Sequence, residues 1–235
     1  MKHTFFIKDW LNSFLSLLFP HCCVVCGRPL AKGEECLCIM CNINLPRTNY
    51  HLWKDNPVER LFWGQIPLER ATSFFFYRKG SDFRQILHQL KYGGKKEVGI
   101  IMGRYMAAEL SDSGFFEGVD VIIPIPLHKK KQQIRGYNQS ECIARGIAAV
   151  TGITVCVESV VRRKNTETQT RKSVFERWEN VDGIFELNHA DSLTGKHILI
   201  VDDVLTTGTT TIACASRLAE VEGTRTSVLT LAMAD

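Results

Sequence analysis

The sequence predicts an α/β fold in which a mostly parallel β-sheet is covered by helices on both faces. From residue 71 onward, short apolar segments alternate with longer amphipathic ones, a pattern typical of sheets built from strand–helix units. The clearest strand, residues 197–204 (HILIVDDV), is continuously apolar until it reaches two aspartates. Ligands of such sheets bind beyond the carboxyl ends of the strands. We therefore expect the functional residues directly after the apolar segments.

The individual elements follow from the spacing of the apolar residues. Strands are predicted at residues 71–77, 119–127, 153–160, 184–187, 197–204 and 226–233. Helices are predicted at residues 82–92, 96–110, 137–150 and 209–222. Between the second strand and the third helix we expect a basic loop, with Arg135 opening the helix.

The composition of the 235-residue chain is that of a soluble globular protein, with 45% apolar and 23% charged residues. Near the N-terminus, an amphipathic helix is expected, because four apolar residues recur at helical spacing: Ile7, Leu11, Phe14 and Leu18. Lys8 and Asp9 interrupt the segment, which is too short to span a bilayer. We expect a cytoplasmic protein whose N-terminal helix docks on the protein, on a partner or, alternatively, on a membrane surface.

The two aspartates are followed at once by a loop that suits a phosphate group. Asp202 and Asp203 precede a run of small residues: Thr206, Thr207, Gly208, Thr209 and Thr210. Backbone amides and hydroxyls of such a run converge on an anion at a helix N-terminus. The carboxylates would repel a phosphate alone, but they suit a ligand that also carries sugar hydroxyls or a bridging Mg²⁺. Neither a Walker A nor a Rossmann glycine pattern is present, and the alternative is a polar helix cap.

Residues 201–210 (VDDVLTTGTT) resemble the signature of the type I phosphoribosyltransferases, which bind 5-phosphoribosyl-1-pyrophosphate. The resemblance implies that Asp202 and Asp203 hold the ribose hydroxyls. It implies that residues 206–210 hold the 5-phosphate and that Mg²⁺ accompanies the pyrophosphate.

The middle of the chain is its most basic part. Between His128 and Lys172, ten Lys or Arg residues stand against three Glu, which favours a bound polyanion, with a solvated basic face as the alternative. Within this part, Arg135 and Gly136 suit the close approach of a pyrophosphate, because arginine donates in a fork and glycine adds no side chain. Lys129, Lys130 and Lys131 are expected to form a surface for a larger polyanion.

A second motif, PIPLHKKKQQIRGYNQS at residues 124–140, resembles the ComF family, with Tyr137 in place of the usual Phe. The resemblance extends over nearly the whole chain from Cys23 and includes residues 90–99 and 168–185. It implies a flexible loop over the ligand, in which Gln169 and Arg171 would bind it, with an exposed linker helix as the alternative. It also implies links to DNA uptake.

Six of the nine cysteines lie between Cys22 and Cys41. Two CxxC pairs supply four thiolates, from Cys23, Cys26, Cys38 and Cys41, which could close a tetrahedral structural Zn²⁺ site. The odd count and the clustering favour metal binding in a reducing compartment over disulfides. Cys22 and Cys36 are alternative ligands, and buried inert cysteines are the alternative to a metal site.

The expected organisation is an N-terminal helix (1–19), a zinc-binding module (20–46), a connector (47–70) and a phosphoribosyltransferase-like domain (71–235). Two functions are compatible with it. The first is a phosphoribosyltransferase with an unassigned acceptor, in which Asp202, Asp203 and Arg135 would be catalytic. The second is a non-catalytic protein that binds the ligand and single-stranded DNA in DNA uptake, with other DNA-uptake proteins as partners.

Overall fold

The computed structural model describes residues 21–163 and 183–235. Its main strands are β1 (Arg70–Tyr77), β2 (Val121–Pro124), β3 (Thr154–Val155), β6 (His197–Leu205) and β7 (Arg225–Ala234). These five are all parallel and lie in the order β1–β7–β6–β2–β3. Two further strands, β4 (Val160–Arg162) and β5 (Phe185–Leu187), form a separate antiparallel pair. The predicted parallel sheet is confirmed.

Seven α-helices connect and cover the strands within the described residues. They are α1 (Ile39–Ile43), α2 (Pro57–Phe62), α3 (Arg84–Tyr92), α4 (Lys96–Ser111), α5 (Lys129–Arg135), α6 (Gln139–Thr151) and α7 (Thr209–Leu218). Short 3-10 turns lie at Tyr50–Leu52 and Ala190–Leu193. Because successive strand residues face opposite sides, Leu199 and Val201 pack with α3, α4 and α6, whereas Ile198 and Ile200 pack with α2 and α7.

The expected basic loop is a helix instead. His128 accepts a hydrogen bond from the Lys130 amide and caps α5, and the lysines, glutamines and arginine that follow favour helix. Gly136, at a φ of 80°, ends it. The next helix therefore begins at Gln139, capped by Asn138, and the expectation that Arg135 opens it was wrong.

The strand predicted at residues 153–160 is two strands in different sheets. β3 pairs with β2 for two residues only, and β4 then pairs antiparallel with β5. The apolar pattern of the sequence could not separate the two strands, because both lie among apolar residues. The second strand and the last helix are also shorter than predicted, at Val121–Pro124 and Thr209–Leu218.

The cysteine-rich segment and the connector pack directly on the sheet domain. Cys36 and Leu37 share a core cluster with Met102 of α4. The guanidinium of Arg47 donates to Glu109 (2.6 Å) and to the Asn42 carbonyl (2.6 Å). The backbone of residues 46–48 also bonds to β1. The segment boundaries proposed from the sequence stay a prediction.

Some expectations lie outside the described residues. These are the N-terminal amphipathic helix and most of the basic stretch before β5, including Gln169 and Arg171. Within the described ranges, no helix has both the length and the apolar character needed to span a membrane.

Helices α4 and α6 approach closely at two glycines. A Cβ atom at Gly103 would overlap the carbonyl oxygen of Ile143, and a Cβ at Gly146 would overlap that of Ile100. Neither obstacle is a flexible side-chain end, so the helices themselves would have to separate. The contact matters for function because α6 carries side chains of the site described below.

We therefore expect Gly103→Ala to lower the free energy of unfolding by about 1–3 kcal/mol through overpacking. Urea unfolding followed by circular dichroism measures it. Val150→Ala, at an exposed position of α6, is the matched control and should change stability little. An unchanged urea midpoint for Gly103→Ala would contradict the close approach.

Candidate ligand site and candidate metal centre

The two aspartates lie near the carboxyl end of β6, inside the sheet. The Oδ1 atom of Asp202 accepts hydrogen bonds from Ser140 Oγ (2.9 Å) and from the Asp203 amide (2.8 Å). Burial, together with the neighbouring charge of Asp203, raises the pKa of Asp202 to about 7. Desolvation disfavours the charged form of a carboxyl group. Asp202 is therefore about half protonated at neutral pH.

Lys91 neutralises the second aspartate. Its Nζ lies 3.0 Å from Asp203 Oδ2, and the two side chains are only 24% and 14% exposed. The end of α3 that carries Lys91 is held by Tyr137, whose hydroxyl donates to the Leu90 carbonyl (2.7 Å). The sequence analysis missed Lys91. Lys91 lies in the segment LKYGGKKEVG, which is part of the family resemblance, but the resemblance assigned no role to any residue of that segment.

The residues of the RGYNQS motif each have a place in this arrangement. Arg135 donates to Gln139 Oε1 (2.8 Å) and lies over the Tyr92 ring at 5.6 Å. Asn138 caps α6 and donates to the Ile125 carbonyl at the end of β2 (3.0 Å). Ser140 reaches Asp202. The motif therefore ties α5, α6, β2 and β6 together at one edge of the sheet.

Four cationic side chains lie close to one another, and two of them, Lys91 and Arg162, also interact with the acid pair. Burial lowers the pKa of Lys131, and the nearby charges of Arg162, Arg135 and Lys91 lower it further. Burial also lowers the pKa of Arg162, which the charge of Asp202 partly restores. We call Lys91, Lys131, Arg135 and Arg162 the cation cluster. The proximity of these cationic groups favours an anion bound beside the acid pair.

The predicted triple-lysine surface is divided in the structure. Lys129 and Lys130 are exposed, whereas Lys131 is half-buried and belongs to the cation cluster. The sequence could not distinguish them, because the difference depends on which side of the unforeseen helix α5 each lysine occupies.

The loop at residues 206–210 follows β6 directly. Gly208 is the N-cap of α7, at a φ of 73°. A side chain there would overlap Leu61 and press on Phe62 of α2. Thr206 and Thr207 are exposed, and the hydroxyls of Thr207 and Thr209 lie 2.9 Å apart. The structure thus brings Asp202, Asp203, the loop and Arg135 to one edge of the sheet.

The second candidate site is the cysteine cluster. The sulfur atoms of Cys23, Cys26, Cys38 and Cys41 all lie within 4.8 Å of one another. Both CxxC pairs turn tightly, with the Gly27 amide donating to the Cys23 carbonyl (2.9 Å). Burial opposes ionisation of Cys23, but backbone hydrogen bonds from Cys26 and Cys38 bring its pKa to about 7. The cluster could hold a metal ion.

The two spare cysteines of the segment are outside this four-sulfur group. Cys36 donates to the Met102 sulfur (3.9 Å), and burial raises the pKa of its thiol to about 12. Cys22 is exposed.

Comparison with known proteins agrees with this geometry. Residues 137–234 match the phosphoribosyl transferase domain family. The DNA utilization protein YhgH of Shigella flexneri is 29% identical over 217 residues, which cover 86% of this chain and 92% of that protein. Competence protein ComFC of Bacillus subtilis is 25% identical over 203 residues, covering 85% and 72%.

Among solved structures, glutamine phosphoribosylpyrophosphate amidotransferase from B. subtilis is similar to 61% of this chain and 30% of that one, with 19% identity and a TM-score of 0.42. The parallel sheet and the matched domain carry the assignment. The chain has a type I phosphoribosyltransferase fold and is similar to the ComF-type phosphoribosyltransferase-domain proteins.

Proposed function

We propose that the protein binds 5-phosphoribosyl-1-pyrophosphate together with Mg²⁺ at the carboxyl edge of the sheet. The observation that carries the proposal is the order of groups along that edge. An anion loop (206–210), an acid pair (Asp202 and Asp203) and the cation cluster follow one another. This matches a ligand with a phosphate at one end, hydroxyls in the middle and a pyrophosphate at the other.

In this proposal Asp202 and Asp203 accept hydrogen bonds from the ribose hydroxyls, and residues 206–210 donate to the 5-phosphate. Arg135 and Gly136 contact the pyrophosphate, joined by Lys131 and Arg162 from the cation cluster. Gln169 and Arg171 remain proposed ligand contacts. Lys91 must release Asp203 when the ribose arrives, and its ammonium group is then available to the pyrophosphate.

Transfer chemistry at this site would break the bond between the ribose C1 and the pyrophosphate oxygen, with the bonding electrons leaving on the pyrophosphate. Mg²⁺ would neutralise charge on that leaving group. Arg135 and the other cations would stabilise the same developing charge, and the acid pair would stabilise the positive ring. The acceptor is unassigned, so we propose a phosphoribosyltransferase reaction only as a class.

The double substitution Asp202→Asn, Asp203→Asn should weaken binding of the ligand with Mg²⁺ by about 100-fold or more, because two charge-assisted hydrogen bonds are lost. Isothermal titration calorimetry measures it. Asp112→Asn, at an exposed position after α4, is the matched control. Equal affinity of the double variant and the wild type would remove the basis of the proposal.

We also infer that the cysteine cluster holds one structural Zn²⁺. Four thiolates fill all positions of a tetrahedral zinc site and leave none for a substrate. The segment packs on α4, and the metal would add to the stability that this burial gives so short a segment.

Protein purified without added metal should contain about one equivalent of zinc, and Cys38→Ser should lose it and become less stable. Elemental analysis and thermal unfolding test both points. Cys22→Ser, outside the four-sulfur group, should keep the metal. Absence of zinc in the wild type, with no loss of stability in Cys38→Ser, would rule out the site.

A second role, in DNA uptake or utilisation in the cytoplasm, is favoured by two observations. The relatives carry the names DNA utilization protein and Competence protein. Lys129 and Lys130 of α5 are exposed beside the candidate ligand site, where they are available to the phosphates of a single strand.

The double substitution Lys129→Ala, Lys130→Ala should weaken single-stranded DNA binding and reduce the slope of log affinity against log salt by about 1.4, since each phosphate contact contributes roughly 0.7. It should leave phosphoribosyl-pyrophosphate affinity unchanged. Lys131→Ala, in the cation cluster, should weaken phosphoribosyl-pyrophosphate binding and leave single-stranded DNA binding and its salt slope unchanged. If the double variant loses the small ligand and Lys131→Ala does not, the division between the lysines is wrong.

A further inference from the structure

A cavity of about 560 Å³ lies beside helix α2. Its wall includes the first residues of β1 (Arg70 and Ala71), Phe115 beyond the end of α4, and the segment 50–56. Neither the acid pair nor residues 206–210 belong to the wall. Because β1 and the acid-bearing strand are parallel, the amino end of β1 faces away from the edge where the acid pair lies. The volume is typical of a small-molecule site.

Five aromatic side chains line the cavity: Tyr50, Trp53, Phe62, Trp63 and Phe115. The two tryptophans are 52% and 58% exposed, although tryptophan is among the side chains with the most apolar surface to bury. Packing against the fold leaves about half of each tryptophan exposed. An accessible pair of indoles at a cavity is a platform for a flat ligand.

The tryptophan side chains are held in position. Trp53 donates from Nε1 to the Asn49 carbonyl (3.1 Å) and meets Tyr50 edge to face at 5.3 Å. The guanidinium carbon of Arg60 lies 5.8 Å from the Trp63 ring centre. Asn49 and Asp55, two of the three non-glycine residues with positive φ in the described chain, fix the ends of the segment that carries Trp53. Rings held in this way lose little freedom on binding a partner.

The formal charges of the wall, three carboxylates against Lys54 and Arg70, disfavour a phosphate in the interior. Three carboxylates, those of Asp55, Glu59 and Glu69, lie in the wall. The guanidinium of Arg70 is committed to the carbonyls of Gly114, Phe115 and Glu117 (2.6–2.7 Å). Burial lowers the pKa of His51, and a neutral imidazole offers one donor and one acceptor. The interior therefore suits a neutral ring with polar edges.

We propose that this cavity binds a nucleobase, with the ring stacked on Trp53 and Trp63 and its edge against the polar wall. The base is carried by single-stranded nucleic acid whose phosphates stay outside the cavity; a free nucleoside has the same ring chemistry. Stacking on aromatic side chains is the usual way in which proteins hold unpaired bases without sequence preference. The inference does not depend on phosphoribosyl-pyrophosphate binding, and its nucleic-acid arm rests on the DNA-related role proposed above.

The test compares a fluorescent oligothymidylate with an abasic strand of equal length, using the full chain and fluorescence anisotropy. Trp53→Ala, Trp63→Ala should weaken oligothymidylate binding by about 10-fold or more. It should leave affinity for the abasic strand and the salt slope unchanged. Trp53→Phe, Trp63→Phe should retain most of the affinity, because phenylalanine keeps an aromatic face. Ile43→Ala, exposed on α1, is the control.

Phosphoribosyl-pyrophosphate affinity, measured alongside, reports whether the tryptophan variants fold. Failure of every variant and the wild type to bind that ligand would overturn the proposed function and leave this inference standing. Displacement of the oligomer by free thymidine from the wild type, but not from the alanine variant, supports the cavity as the base site. Equal affinity of the alanine variant and wild type for oligothymidylate would overturn it. Two further results would overturn it. One is equal affinity of the wild type for oligothymidylate and for the abasic strand, and the other is an equal loss of affinity for both strands in the alanine variant.

Discussion

The structure of the ligand edge depends on keeping two adjacent aspartates inside a sheet. Neighbouring carboxylates repel each other, and burial removes the water that would otherwise separate their charges. The protein compensates with Lys91 at 3.0 Å from Asp203 and with hydrogen bonds to Asp202 from Ser140 and a backbone amide. These partners come from α3 and α6, so both helices must stand at fixed positions around the end of β6. The geometry of the rest of the site follows from that requirement.

Residues of the RGYNQS motif hold α3, the end of β2 and Asp202 in position. Tyr137 holds α3, Asn138 holds the end of β2, and Ser140 holds Asp202. Only Arg135, at the end of α5, presents a formal charge to a ligand. Most of the motif is thus positional, which explains why a Tyr in place of the usual Phe is compatible with the site. The Tyr137 hydroxyl adds a hydrogen bond to a backbone carbonyl (2.7 Å) that a phenyl ring could not make.

The sequence predicted the fold well where an element has its own strong pattern, and poorly where tertiary contacts decide. β6 and β7 were placed to within one residue at either end, because continuous apolar runs define buried strands. The helix at Lys129–Arg135 was missed, since its lysines suggested only a charged loop. Lys91 and Arg162 join the acid pair through folding of distant segments, and no local spacing reports such a meeting. The tryptophans of the cavity were missed for the same reason.

Helix α2 contacts both the loop at residues 206–210 and the aromatic cavity. Its Leu61 and Phe62 side chains close over Gly208, so a side chain at that position would have to displace the end of Leu61. Phe62 is at the same time a wall of the aromatic cavity. A phosphate held by residues 206–210 and a ring held against Trp53 and Trp63 would therefore bear on one short helix from two sides. Sites joined by a shared rigid element can influence each other only if that element has two arrangements. The capping box at Asn56 and Glu59 anchors the amino end of α2, and burial of Phe62 in the core anchors its carboxyl end, so coupling between the two sites would require a ligand to displace Phe62.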